Sequence, residues 1–343
     1  MATYNYFIHP HGLALESGEK LDELRIAYTI FGNPQARKTV WVCHALSGNS
    51  LVAEWWSGLF GENRFFNFSE YRIVCANVIG SCYGSTGPED LADNEGFPLI
   101  TIKDIVKAHI LLRRYLKIEE IDILIGASLG GQQAVEWAIE ESDRIKELIL
   151  IATNADHSPW GKAANEAQRL ALLADSSFGK KGGGKEGLKA ARAIAMLSYR
   201  SYDDFTIKQS ETVAKPDDYR ACSYVRYQGE KFIDRFSARS YYTLTKAMDS
   251  HNVGRGRDTI KSALQSIKAR TLVVGVDSDT LFPLCEQEFL ADYIPNAELG
   301  VIHSKHGHDA FLIEYEQLQK LLDEFIYNDF KGFKPTIFKT LTQ

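Results

Sequence analysis

Gly126-Ala127-Ser128-Leu129-Gly130-Gly131 lies between an apolar run, Ile121-Asp122-Ile123-Leu124-Ile125, and an amphipathic run, Gln132-Gln133-Ala134-Val135-Glu136-Trp137-Ala138-Ile139. The pattern is strand, sharp turn, helix, with a serine at the apex and glycines on either side. A G-x-S-x-G turn in that context is a nucleophile elbow. A Cβ at the glycines would meet the neighbouring strand and helix. The turn lifts the serine hydroxyl above the sheet. The helix behind it aims free N–H groups and the positive end of its dipole at the same place, so an oxyanion forming there is stabilised. Taken alone, the motif also fits a serine in an ordinary glycine-rich turn.

Outward from this turn, short β-branched runs recur at Thr39–Cys43, Ile73–Val78, Leu148–Ala152 and Thr271–Val276, with Ala297–Ile302 as a last strand. Such runs are strands buried on both faces, hence a mostly parallel sheet. Helical patterns at Ile102–Leu116 and Gln132–Ile145 alternate with them, so the class is α/β, a sheet flanked by helices. The alternation stops after Asn154. Helix formers at Ala163–Ala174, Gly187–Tyr199 and Phe236–Met248 fill the gap, and the sheet pattern resumes at Thr271. More than a hundred residues do not form a structureless loop in a compact domain. The expected organisation is a discontinuous core, residues 1–155 and 268–343, with a helical lid over it, residues 156–267. Residues 179–186 resemble a P-loop but carry Glu186 where Ser or Thr should bind magnesium, and no strand precedes them. They are expected to form a glycine-lysine loop at the lid edge.

With 343 residues, 45% hydrophobic and 24% charged, the composition is that of an ordinary globular protein. A net charge of −6 argues against a nucleic-acid partner. MATYNYFIHPHG has neither a basic leader nor an apolar one, and no run is long and apolar enough to span a membrane. The five cysteines include no C-x-x-C pair, which fits reduced thiols and a cytoplasmic location.

A serine hydroxyl is a weak nucleophile until a base takes its proton and an acid orients that base. Both should follow Ser128 in the chain, at the carboxyl ends of later strands. Thr271–Val276 ends in Asp277-Ser278-Asp279, and the last strand leads to His303-Ser304-Lys305-His306-Gly307-His308-Asp309. Spacing leaves Asp277 and Asp279 as alternatives for the acid. Three histidines in six residues also fit a metal site, but H-E-x-x-H is absent, and no metal is expected. Asp309 is expected to point away from its neighbour His308 and to stay free for substrate. The loop after Thr39–Cys43 should lend a second oxyanion-hole N–H, from Leu46, beside that of Leu129.

Seven segments go further: HALSGNSLVAEWW (44–56), NVIGSCYGSTGP (77–88), GASLGGQQAVEWA (126–138), GLKAARAIAMLSYR (187–200), FIDRFSARSYYTLTKAMDSHNVGRGR (232–257), DSDTLFP (277–283) and GHDAFL (307–312). In these the chain resembles the homoserine O-acetyltransferases, acyltransferases of the α/β-hydrolase fold that act in methionine biosynthesis. The resemblance implies Ser128 as nucleophile, Asp279 as orienting acid and His308 as base. It assigns Arg192 to the substrate carboxylate, Asp309 to the substrate amine and Tyr199 to a lid position near the site. It implies acetyl-CoA as co-substrate, L-homoserine as acceptor, no permanently bound cofactor and a homodimer through the lid. Ser237, in SARSY, stands where the family more often has aspartate. A plain ester hydrolase is the rival, since the same triad hydrolyses an acyl-serine that water reaches; a relative using succinyl-CoA or serine is a closer alternative. Residues His251–Arg257 are expected either to meet the CoA phosphates or to form a solvated basic turn. Phe232, Phe236, Tyr241, Tyr242 and Leu244 are expected at a dimer interface or between lid and core.

Overall fold

The computed structural model describes residues 4–327; residues 1–3 and the final part of the expected core, 328–343, lie outside the described residues. Eight strands form the main sheet: β1 (Asn5–His9), β2 (Leu24–Gly32), β3 (Lys38–Cys43), β4 (Tyr71–Ala76), β5 (Ile121–Ala127), β6 (Ile145–Ile151), β7 (Arg270–Val276) and β8 (Ala297–Ile302). Their order is β1-β2-β4-β3-β5-β6-β7-β8. β2 pairs antiparallel with β1 and β4. The remaining neighbours are parallel. Every parallel strand therefore ends on one edge, and the loops after Cys43, Ala127, Ile151, Val276 and Ile302 gather there.

The unbroken apolar runs arise because alternate residues serve opposite faces. Val40, Val42, Ile123, Ile125, Ile149 and Ile151 pack on one side with Trp56, Phe60 and Leu322. Trp41, Leu124, Leu148 and Leu150 pack on the other with Ile105, Val135 and Leu290. These last three come from helices α1 (Ile102–Tyr115), α2 (Leu129–Glu140) and, near the end of the chain, Leu284–Tyr293. α1 begins in a capping box between Thr101 and Asp104. α2 ends at Glu140, short of the expected Ile145, which instead opens β6. Periodicity does not separate the last apolar residue of a helix from the first of a strand. The break falls at Glu141, whose carboxylate is held by Arg113 at 2.8 Å and by the indole N–H of Trp137 at 3.0 Å.

Between Asp156 and Asn252 lie five helices: α3 (Pro159–Leu173), α4 (Lys185–Tyr199), α5 (Tyr202–Gln209), α6 (Arg220–Ile233) and α7 (Ala238–Asp249); a short helix, Ile260–Gln265, follows before β7. Ser158 caps α3, with Pro159 in the first turn. Ser237 caps α7 by accepting from Ser240 N–H at 3.1 Å, so that helix starts two residues after the expected Phe236. This segment leaves and returns side by side: Asp156 bridges Asn252, His157 N–H donates to His251 C=O at 3.0 Å, and Val253 N–H to Ala155 C=O at 2.9 Å. Residues 179–183 form the loop before α4, and Gly184 caps that helix with φ +74°.

Candidate active site

Ser128 sits between β5 and α2 with φ 56° and ψ −126°, a strained conformation for a residue with a side chain. Its surroundings hold it there. Ser128 N–H donates to Ile151 C=O at 3.0 Å, and its own C=O accepts from the Thr153 hydroxyl at 3.0 Å and from Gln132 N–H at 3.1 Å. Glycine is required on both sides: a Cβ on Gly126 would strike the carbonyl oxygen of Gly130, and one on Gly130 that of Cys43. Leu129, the first residue of α2, has no acceptor for its N–H within its helix.

The loop after β3 is held just as firmly. Val78 N–H donates to His44 Nε2 at 3.1 Å, so the proton is on Nδ1, which donates to Ala45 C=O at 2.8 Å. Burial pushes His44 down to about 4, which keeps the ring neutral. Gln133 donates to His44 C=O at 3.1 Å, and Arg235, just beyond α6, donates to Ser47 C=O at 2.7 Å. Leu46 lies between these anchors, and its N–H has no protein acceptor among the described residues.

His308 lies in a short 3-10 helix, Gly307–Leu312, after β8. That turn reaches back over the sheet edge, since Trp56, beyond the β3 loop, donates its indole N–H to Phe311 C=O at 3.0 Å. Ala310 and Phe311 pack in the same cluster as Ile125 and Ala127 of β5. His308 Nδ1 is 2.7 Å from Asp279 Oδ2, while Asp279 Oδ1 accepts from Leu281 and Phe282 N–H at 2.8 and 2.9 Å. Phe282 stacks on the imidazole at 5.2 Å between centroids. Burial pulls the His308 pKa down, but the charge and hydrogen bond of Asp279 and the charge of Asp309 outweigh it, and the result lies above the ordinary histidine value.

The choice between Asp277 and Asp279, open on spacing, is made by direction. Asp277 turns to His303, 2.9 Å away on the surface, and Asp279 turns inward to His308. His306 faces Asp204 of α5 at 2.8 Å. The three histidines thus meet three different carboxylates.

α4 brings two further residues to this point. The Tyr199 ring lies 5.8 Å from that of His308, and the Arg192 guanidinium stands 5.2 Å over Tyr199 and 4.8 Å over Phe232. Arg192 Nε is buried without a hydrogen-bond partner. Burial pushes the Tyr199 phenol up. Arg192, Tyr199, His308 and Asp309 are therefore brought together from lid and core. Asp309 is not free as expected: its Oδ2 is 3.3 Å from Nη2 of Arg200. An extended chain would have turned it away from His308, but the 3-10 turn sends it toward the end of α4.

Two either-or expectations come out differently. Arg255 is bound to Glu16 at 2.7 Å and Arg257 to Glu136 at 2.6 Å, while His251 is buried against Asn154 C=O, so the 251–257 segment has its cations neutralised within the chain rather than offered to phosphates. Phe232, Phe236, Tyr241 and Leu244 are buried inside the chain, Phe236 lies 5.8 Å from the Tyr83 ring of the core, and Tyr242 is half-buried beside Phe178, so of the two expected places these residues take the one between lid and core. Sequence reasoning also passed over Arg200, Arg235 and the ring of His44. All three stand in the quoted segments, but nothing in their spacing tells which loop they tie down.

A profile of the alpha/beta hydrolase fold family matches residues 38–315. The homoserine O-acetyltransferase of Cyclobacterium marinum is 47% identical over 333 residues, covering 94% of this chain and 95% of that protein. Among solved structures, homoserine O-acetyltransferase from Staphylococcus aureus is 30% identical, with a TM-score of 0.83 and 97% of each chain covered. The acetyl esterase MekB is 25% identical, with a TM-score of 0.82 over 94% of this chain and 95% of that one.

Proposed function

The chain belongs to the homoserine O-acetyltransferases of the α/β-hydrolase fold, and on that premise we propose that it moves an acetyl group from acetyl-CoA to the hydroxyl of L-homoserine, in methionine biosynthesis, through an acyl-serine. The observation that carries the choice of acceptor is one cation and one anion acting on Tyr199, whose ring faces His308: the Arg192 guanidinium lies over that ring, and Asp309, next to His308 in the chain, bears on its phenol. An amino-acid zwitterion needs both.

In the first half-reaction Nε2 of His308 takes the Ser128 proton as Oγ attacks the thioester carbonyl. The N–H groups of Leu129 and Leu46 receive the oxyanion; one such donor is worth a factor of ~10²–10³ in rate. The imidazolium, steadied by Asp279, returns the proton to the departing CoA thiol. In the second half-reaction His308 deprotonates the acceptor hydroxyl, which attacks the acyl-serine and releases Ser128. Arg192 grips the acceptor carboxylate as a planar fork and Asp309 meets its ammonium. CoA is a co-substrate, and the proposed chemistry uses no resident cofactor. Ping-pong kinetics follow.

Thiol release from acetyl-CoA, with and without homoserine and with Ser128→Ala as blank, tests this. Release should depend on homoserine. Equal release without it supports the esterase reading, which the likeness to MekB keeps in view. Acetyl- against succinyl-CoA, and homoserine against serine, then fix the substrates; one methylene in the acceptor is worth only ~1–3 kcal/mol.

A homodimer through the lid is supported by the apolar side chains that α3 and α4 leave exposed, Leu170, Leu173 and Leu197. Among the described residues no helix is long and apolar enough to cross a membrane, and all five cysteines are free, which supports a reducing, cytoplasmic setting.

A further inference from the structure

Arg200 is one of the links between lid and base loop. It ends α4, where the backbone turns from helix to extended at φ −108° and ψ 145°. The corner that follows lies directly on the histidine loop: the Ser201 hydroxyl donates to Lys305 C=O, and a Cβ on Gly307 would meet Ser201 N, Tyr199 O and Arg200 C. This packing sets where the Arg200 side chain starts. Its Nη2 is 3.3 Å from Asp309 Oδ2 and its Nη1 3.6 Å from Asp204 Oδ2. Asp204 has two closer partners, Lys208 at 2.8 Å and the His306 ring at 2.8 Å. The closer carboxylate for Arg200 is therefore Asp309. Nε and Nη1 of Arg200 are buried without hydrogen-bond partners, so the guanidinium is set by packing and charge rather than by a full set of hydrogen bonds.

We propose that Arg200 is a positioning residue of the acceptor site: it holds the Asp309 carboxylate toward the acceptor ammonium and offsets that carboxylate's negative charge on His308. The first half of this rests on the acceptor role given to Asp309 above. The charges facing His308 are Asp279 from the loop after β7 and Asp309 beside it, with the Tyr199 phenol from α4 and the rings of Phe282 and Phe311. Around Arg200 and Asp309 stand Asp204 and Lys208 of α5, His306, and Glu314, which lies 3.9 Å from His306; Arg192 stands over the Tyr199 ring. In this set Arg200 is the cation within ion-pair distance of Asp309. Without it Asp309 acts on His308 undiluted and stabilises the imidazolium.

The test uses Arg200→Met and Arg200→Lys in the full chain, with two readouts. One is the burst of nitrophenol from p-nitrophenyl acetate, which needs Ser128 and His308 but no acceptor. The other is homoserine-dependent transfer from acetyl-CoA. Arg200→Met should keep the burst amplitude, raise KM for homoserine about tenfold, and move the midpoint of the burst-rate pH profile upward by roughly half a unit. Arg200→Lys should return the midpoint toward wild type, because it restores the charge, while leaving KM raised, because one ammonium does not span Asp309 and Asp204 as the guanidinium does. If the methionine variant fails to fold, Arg200→Gln carries the same two readouts. A wild-type KM and midpoint in the neutral variant would overturn the proposal. So would a joint loss of burst and transfer that lysine does not rescue. If the wild-type chain itself hydrolyses acetyl-CoA without homoserine, the acceptor reading has failed, and the burst profile still decides whether Arg200 offsets Asp309.

Discussion

Asp279→Asn isolates the part of the site that the fold builds with most care. Asp279 has three donors around it: Leu281 and Phe282 N–H on Oδ1, and His308 Nδ1 on Oδ2 at 2.7 Å. Asparagine has nearly the same shape, and its oxygen keeps the two backbone bonds, so the loop should stay folded. Its NH2 group then faces Nδ1, and two donors cannot meet. The ring must move its proton to Nε2, the atom that has to accept the Ser128 proton. A wrong tautomer of this kind lowers kcat about 10⁴-fold, which is roughly 5.4 kcal/mol of lost transition-state stabilisation. The same change removes the two largest influences that raise the His308 pKa, leaving burial, which lowers it. In the wild type the acid limb of the burst rate should therefore have its midpoint above ~6.5, the ordinary histidine value. In the variant the residual rate should have its midpoint well below the wild-type one. Stopped-flow measurement of the burst across pH, with circular dichroism as a check on folding, reads both. A loss under tenfold with an unmoved midpoint would refute the assignment of Asp279 to His308.

Arg192→Gln should leave the burst intact and raise KM for homoserine about 10- to 100-fold, the worth of a charge-assisted fork; an unchanged KM removes Arg192 from the acceptor site. Gly130→Ala places a methyl against the Cys43 carbonyl, a backbone atom that has little room to yield. We expect a loss of about 3 kcal/mol and a Tm several degrees lower by calorimetry; a wild-type Tm contradicts the close approach of α2 to β3. Burial and the nearby Asp279 push Glu286 up to about 7, against the lowering effect of the hydrogen bond from Asn154. Between its unfolded value of ~4.3 and about 7 the folded chain binds the extra proton, so stability should fall as pH rises through that window. Glu286→Gln should flatten that slope and gain stability relative to wild type above neutral pH; parallel stability curves for the two proteins would contradict it.

The parallel part of the sheet was legible because its strands are short β-branched runs, and the elbow because only glycine tolerates the approaches at 126 and 130. β1 and β2 were missed. They form the antiparallel end of the sheet, where polar residues such as Asn5 and His9 in β1 and Arg25 and Thr29 in β2 interrupt the continuous apolar run that marked the others. α5 and α6 were missed as well: α5 is short with little amphipathic pattern, and α6 is polar along most of its length and buries only Gly229 and Phe232. The basic turn at 251–257 and the aromatic lid face were legible as residues but not as functions. A charge or an apolar ring does not announce its partner, and here the partners, Glu16, Glu136 and the rest of the lid, lie far away in the chain.

Local chemistry along the chain was enough to name a serine at a strand–helix corner and the order in which an acid and a histidine follow it, because turn sterics and strand periodicity act over a few residues. Apart from the family resemblance, which already favoured Asp279, only long-range geometry separated Asp279 from Asp277, turned Asp309 toward Arg200, and set Tyr199 against His308 with Arg192 over its ring. Those outcomes depend on which way a loop turns after its strand and where a helix from the lid ends above it. Distances between segments more than a hundred residues apart are set by packing of the whole core, and no local pattern records them.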